Sequence, residues 1–285
     1  MSPMKIQTVL VATALVLPLA AAAESDSPWL PIPGDVSLSL NHTTQSGDDA
    51  YIGSTQRPLT AVTGGGASKY KRSATQVRLG YGLSDAVALD ASLAYGQVKV
   101  GAADRDSGRL DSVVGASWRV LDEYERPGLP TLTLRAAAIL KGGYSGARLA
   151  ALGNNQNGVE LSVLLGKEVA ASLALWLQIG VQDRSGAVPN ANFYEIGARW
   201  RFAPQWSASL GYSDKKYGGN LDIGGPGFSP ARFQDVRAER GVVKLGIGYA
   251  IARNQGLALN LAQTKSGRNT VKDDQIVGLS YTFAF

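Results

Sequence analysis

Arg199 and Arg201 stand two residues apart in EIGARWRF, a spacing that projects both guanidinium groups from one face of an extended strand. The same placement recurs along the chain. Arg78, Asp90, Asp111, Arg119, Arg135, Lys141, Glu160, Glu195, Arg240 and Lys244 sit at alternate positions among Gly, Ala, Ser and Thr, between bulky apolar neighbours. Of these twelve residues eight are basic and four acidic. Rows of this kind do not assemble a nucleophile with its base. They can line a passage, where rings of Arg and Lys favour anions. They can also pair across an interior and hold it closed, fixing geometry without adding much stability. Arg199 and Arg201 are the expected constriction or internal network.

Other chemistry has little to stand on. His42 is the single histidine, and its context, SLNHTTQSGDD, holds no nucleophile motif for a Ser–His dyad. Pairing His42 with Asp48 or Asp49 as metal ligands fixes no geometry. The chain has no Cys, which removes disulfides, thiolate metal sites and cysteine nucleophiles. Gly246-Ile247-Gly248 is half a dinucleotide fingerprint, but period-two sequence follows it where a helix is needed. No catalytic residue, metal or cofactor is expected. The net charge of +5 is scattered, unlike the concentrated footprint of a nucleic-acid binder. One basic run, Lys69-Tyr70-Lys71-Arg72, lies in a long loop where it could touch lipopolysaccharide phosphates or stay solvated.

The elements that must carry these residues are strands. Period two is everywhere, as in SATQVRLGYGLSDAVALDASLAYGQV, where Val77, Leu79 and Tyr81 alternate with Gln76, Arg78 and Gly80 before a turn at Gly82–Asp85. About twelve such segments follow from the pattern: Val36–Thr43, Ser73–Tyr81, Ala86–Lys99, Gly108–Leu121, Thr131–Tyr144, Val159–Val169, Ser172–Arg184, Asn192–Phe202, Trp206–Ser213, Glu239–Tyr249, Gly256–Lys265 and Gln275–Phe285. Short connections alternate with long ones rich in Gly, Asn, Asp and Ser, the arrangement of an outer-membrane barrel with periplasmic turns and outer loops. A ring of about twelve strands is too wide for Leu and Val side chains to fill, since side chains fill barrels of about eight. Apolar outside and polar inside is stable where the outside is lipid. The expected fold is therefore an all-β, transmembrane, antiparallel up-and-down barrel with both termini periplasmic. Tyr81, Trp118, Trp200, Phe202, Trp206, Tyr249 and Phe283 fall beside the turns, and Tyr95, Tyr144, Tyr194 and Tyr212 near the loops, as interfacial girdles would.

The last nine residues, VGLSYTFAF, put Val277, Leu279, Tyr281, Phe283 and Phe285 on one face. This ending resembles the C-terminal signature of Gram-negative outer-membrane proteins. Gly278, Leu279, Tyr281, Phe283 and Phe285 match it, and Val277–Phe283 is similar to the VGxxYxF ending of many porins. The resemblance implies recognition by the barrel-assembly machinery and residence among outer-membrane lipid and lipopolysaccharide. A weaker likeness, of pattern and not of motif, is to the transporters named for the MetA pathway of phenol degradation.

Residues 1–23 read as a secretory signal peptide: Lys5, an apolar stretch from Val9 to Leu19, then Ala21-Ala22-Ala23 before Glu24. Residues 24–35, ESDSPWLPIPGD, form a Pro-rich periplasmic segment, either a plug in the barrel mouth or a tether along its end. Residues 36–285 are the barrel. The function expected is a channel passing small polar or anionic solutes through a net-basic lumen. A closed structural or adhesion barrel, an accessory channel for an exported polymer, and a lipid-modifying enzyme using His42 are the rivals.

Overall fold

The computed structural model describes residues 27–285, apart from Ala103 and Ala147; the expected signal peptide lies outside them. The first strand, β1 (Val36–Gly47), is followed by a small excursion of β2 (Asp49–Ile52), β3 (Thr55–Pro58) and one helical turn, α1 (Leu59–Val62). Then come β4 (Tyr70–Ser84), β5 (Val87–Val100), β6 (Asp104–Arg109), β7 (Ser112–Leu121), β8 (Thr131–Leu140), β9 (Gly158–Ala170), β10 (Leu173–Arg184), β11 (Ala191–Arg201) and β12 (Trp206–Tyr217). A 3-10 turn (Pro230–Asp235) precedes β13 (Glu239–Ala252), β14 (Gln255–Arg268), β15 (Val271–Lys272) and β16 (Gln275–Ala284).

Every main pairing is antiparallel and between neighbours in the chain, and β1 closes the ring by pairing with β16 as well as β4. β6 and β7 form one stave, which makes a closed barrel of twelve. Closure leaves no long unpaired edge. Both ends of the described chain lie at the short-turn end, where Val36 N donates to the Phe285 carbonyl at 3.0 Å.

Alternation decides what each strand shows to either side. On β11, Glu195 is 3% exposed, whereas its neighbour Ile196 is 52% exposed. Leu79, Leu93, Leu210, Leu245, Ile247, Leu259 and Leu279 share the outward face and are likewise exposed. The inward positions hold Ser39, Asn41, Ser92, Thr133, Arg135, Ser162 and Gln178, all buried. The wall is thus apolar outside and polar inside, the reverse of a soluble barrel.

The strands run further toward the loops than hydrophobic alternation indicates. β4 starts at Tyr70 and β12 continues through Asp214-Lys215-Lys216, because ladder hydrogen bonds persist where the outward residues turn polar. In the segment expected as unbroken from Gly108 to Leu121, β6 and β7 pair with β5 in registers that differ by one residue. Leu110 and Asp111 are the bulge between them. Both face the interior, which strict alternation forbids and a bulge allows. The loop expected to be irregular between Thr44 and Arg72 instead holds β2 and β3, joined by β15 in a second small sheet.

Glycine is abundant, with 34 residues, partly because rings lie flat against the inner wall. A Cβ on Gly197 would come within 2.6 Å of the Trp176 indole, and one on Gly180 within 2.6 Å of the Phe193 ring.

Candidate functional site

The barrel encloses a cavity of about 520 Å³ that reaches from mid-wall to the loop end. Its polar lining is a linked set of charges. Arg135 projects from β8 and is 5% exposed. Its guanidinium meets Asp90 on β5 at 2.9 Å and Glu160 on β9 at 3.4 Å. Asp90 also faces Arg78 of β4 at 3.3 Å. Glu160 accepts from Gln182 Nε2 at 2.9 Å, and Gln182 Oε1 accepts from Lys215 Nζ at 2.8 Å. Nearer the loops, Arg184 donates to Asp111 at 2.6 Å. On the opposite wall Lys244 Nζ lies 2.6 Å from Glu195. Arg240 bonds the fully buried Asp273, which also accepts from the Tyr70 hydroxyl.

Asp111 also fixes a loop. It accepts from Gly142 N at 3.0 Å and from the Tyr144 hydroxyl at 2.9 Å. Burial first, and then the Asp111 carboxylate, raise the Tyr144 pKa, so the phenol keeps its proton and donates. Tyr144 was expected in the outer girdle; it is buried and turned inward, because β8 ends at Leu140 and the chain folds back over the mouth. Leu149, Leu152 and Ala150 of that loop pack against Tyr70, Val98, Leu59 and Val271 in the main apolar cluster. Asn154 donates to Tyr217 at 3.0 Å, and Gln234 donates to the Asn154 carbonyl at 3.1 Å, which ties the 3-10 turn to the same lid.

The turn end is filled differently. Pro28 is fully buried, and its carbonyl accepts from the Thr133 hydroxyl at 2.7 Å. Trp29 Nε1 donates to Glu123 Oε1 at 2.9 Å. Glu123 is 6% exposed and also accepts from Glu168 N at 3.0 Å. The Arg199 guanidinium lies 5.9 Å from the centroid of the Trp29 ring. Gly166 faces this segment; a Cβ there would come within 2.5 Å of Pro28.

The twelve candidate residues therefore separate. Arg78, Asp90, Asp111, Arg135, Glu160, Glu195 and Arg240 line the cavity, and Lys244 reaches it through Glu195. Arg199 and Arg201 do not. They border a second hollow of about 110 Å³ at the turn end, where Arg201 donates to the Ala171 carbonyl at 2.7 Å. Arg119 is also at that end, held by the Asp85 carbonyl and by Asp122 at 3.0 Å. Lys141 lies just beyond β8 and is exposed. The cavity is also lined by residues that alternation alone did not single out: Arg72, Arg148, Arg184 and Lys215. With them, seven basic residues line the cavity against four acidic ones, while Asp214 and Glu239 at its rim share the outward register of Tyr194 and Lys216. Arg72 and Lys215 lie where the strands outrun the hydrophobic alternation, which is why the pattern passed over them. Apolar residues complete the lining, among them Leu110, Ile139, Leu152, Phe193 and Phe233.

His42 points outward from β1, its Nδ1 2.9 Å from the Thr75 hydroxyl, away from the cavity. Among the described residues no group of three His, Asp or Glu side chains could hold a metal. The C-terminal residues Leu279, Tyr281, Phe283 and Phe285 face outward on the closing strand, with the Phe283 and Phe285 rings 5.0 Å apart. Gly278 lies on the inner side.

No family model matches the chain, and no curated protein matches it. Solved structures do. The COG4313 outer membrane channel from Pseudomonas putida F1 superposes with a TM-score of 0.73 over 93% of this chain and all of that one, at 19% identity. The KdgM porin gives 0.50 over 87% of this chain and 99% of that one, at 9% identity. The NanC porin gives 0.51 over 86% and 98%, also at 9% identity. At these identities the likeness is one of fold, a closed antiparallel barrel that in this chain has twelve strands.

Proposed function

We propose that this protein is an outer-membrane channel for small polar or anionic solutes, with its termini and short turns in the periplasm and its long loops outside. The observation that carries the reading is the inverted wall: exposed Leu, Ile and Val outside, and inside a charged cavity large enough for a small molecule. Passage needs no chemical step. A solute entering between the loops would meet Arg72 and Arg184 first, then Arg135 and Arg78, each already beside a polar or acidic partner. Guanidinium groups in such a ladder can offer an anion a succession of weak sites, which allows both entry and exit. The apolar patch of Leu110, Ile139 and Phe193 suits solutes that carry a hydrocarbon body behind the charged group.

Both mouths are narrowed, by Tyr144, Leu152 and Asn154 at one end and by Pro28 and Trp29 at the other, and this favours a closed scaffold as the second reading. Planar-bilayer recording separates the two. The channel reading expects small, discrete conductance steps with anions favoured over cations, and Arg78→Gln together with Arg184→Gln should lower that preference. A purified barrel that inserts and gives no steps in salt supports the scaffold.

A further inference from the structure

At two places on the loop-end wall, outward cations meet acids. Lys216 lies 3.6 Å from Asp214, and Arg237 lies 2.7 Å from Glu239. One arc differs. The ladder register sets Lys71 of β4 directly opposite Lys99 of β5, and Lys99 directly opposite Arg105 of β6. All three are exposed and share the outer face. With strands about 4.8 Å apart, the row gathers three positive charges within about 10 Å. Like charges placed opposite one another destabilise a sheet, so the row is costly unless something negative lies on it. Among the described residues no acidic side chain pairs with any of the three.

The rows beneath change in a consistent order. Next toward the belt, Ser73 and Ser107 flank Gln97, whose amide donates to the Ser73 hydroxyl at 3.2 Å. Below that, Thr75 and Arg109 flank the exposed ring of Tyr95. One row further, Leu93 opposes Val77, both exposed and apolar. From rim to belt the wall runs cationic, hydrogen-bonding, amphipathic, apolar. A phosphorylated lipid has the same order from headgroup to acyl chain.

We propose that Lys71, Lys99 and Arg105 form a docking site for the phosphate groups of an outer-leaflet lipid, whose chains run down the wall past Tyr95 onto Leu93 and Val77. The site rests on the outer-membrane reading above. Basic clusters at a membrane surface gain attraction from each Lys or Arg, and the gain fades with salt.

The test is native mass spectrometry of the full-length mature protein in detergent micelles. The probe is a bisphosphorylated acyl-glucosamine disaccharide (lipid A), with its dephosphorylated form as control. Wild-type protein should hold the bisphosphorylated lipid at least tenfold better than the control lipid, and less well at high salt. The variant K71Q/K99Q/R105Q should lose most of that preference, while K216Q, at a paired cation, should keep it. Because all changes are exposed, heat-modifiable gel migration should confirm a folded barrel in each. Equal retention by the triple variant, or equal binding of the two lipids, would overturn the site. Displacement of the lipid by millimolar inorganic phosphate would also overturn it, by making the row a free-anion site. A protein that fails to insert into vesicles at all would instead defeat the outer-membrane reading.

Discussion

The two faces of one strand in this barrel obey different rules. On β13, Leu245 and Ile247 face outward and are exposed, each standing largely by itself in a belt of similar residues. Lys244, one position away, faces inward and is held 2.6 Å from Glu195, 49 residues earlier in the chain. An outward residue is judged by the medium it meets, and an inward one by its partners. The outer wall should therefore tolerate any apolar substitution and resist charge. The inner wall should resist loss of one partner yet accept coordinated loss of several.

The largest expected effect is at Arg135. Arg135→Met leaves Asp90 and Glu160 facing each other across a buried site, and breaking such a set costs about 3–5 kcal/mol. Urea unfolding of the barrel in micelles should show this. Adding Asp90→Asn and Glu160→Gln to the same protein should restore most of the loss. If the single and triple variants unfold alike, the inner wall is no linked network. Leu245→Arg comes next on the outer face, at about 2–4 kcal/mol if it sits near the bilayer midplane. Leu245→Phe should be nearly silent in the same assay.

These sites also mark what the sequence disclosed. Strict alternation was sufficient to assign Leu245 outward and Arg135 inward, because period two and a single apolar face fix both. It could not foresee that Leu110 and Asp111, adjacent in the chain, both face inward, since a one-residue bulge breaks the parity of the strand. Nor could it find the partners: Tyr70 meets Asp273 across 203 residues, a distance that only barrel closure brings together. The spacing of Arg199 and Arg201 puts them on one face, but depth along the barrel is a property of register and tilt, and they sit at the turn end, Arg199 beside Trp29. The glycine excess was visible from the outset; that it makes room for inward rings required knowing which ring lies over which glycine.

A smaller effect tests that last relation. Gly197→Val should push the Trp176 indole and cost about 1–3 kcal/mol, as overpacking does. In a Trp176→Ala background the same change should cost much less, and equal costs in both backgrounds would remove the contact as the cause. The smallest effect concerns the loops. Asp222 accepts from Arg268 and from Asn269 Nδ2, which also donates to the Arg237 carbonyl at 2.7 Å. The Arg268 hydrogen bond, foremost, holds the Asp222 carboxyl below its ordinary pKa. Its contribution is therefore complete above the ordinary carboxylate range and disappears as pH falls through the lowered value. Limited proteolysis within 218–238 should accelerate on acidification over that range, and Asp222→Asn should reduce the pH dependence.

The chain's lack of cysteine makes the most direct test simple. Single cysteines at Leu79, Ile196 and Leu245 on one face, and at Arg78, Glu195 and Lys244 on the other, can be probed in proteoliposomes with brominated lipid and a water-soluble maleimide. The outward three should resist the maleimide and, once carrying a fluorescent label, be quenched by the brominated lipid according to their depth, while labels at the inward three should escape that quenching. Maleimide labelling of Leu79→Cys, Ile196→Cys and Leu245→Cys at the rate of a free thiol in water would mean that these side chains never face hydrocarbon, and the membrane barrel would have to be abandoned.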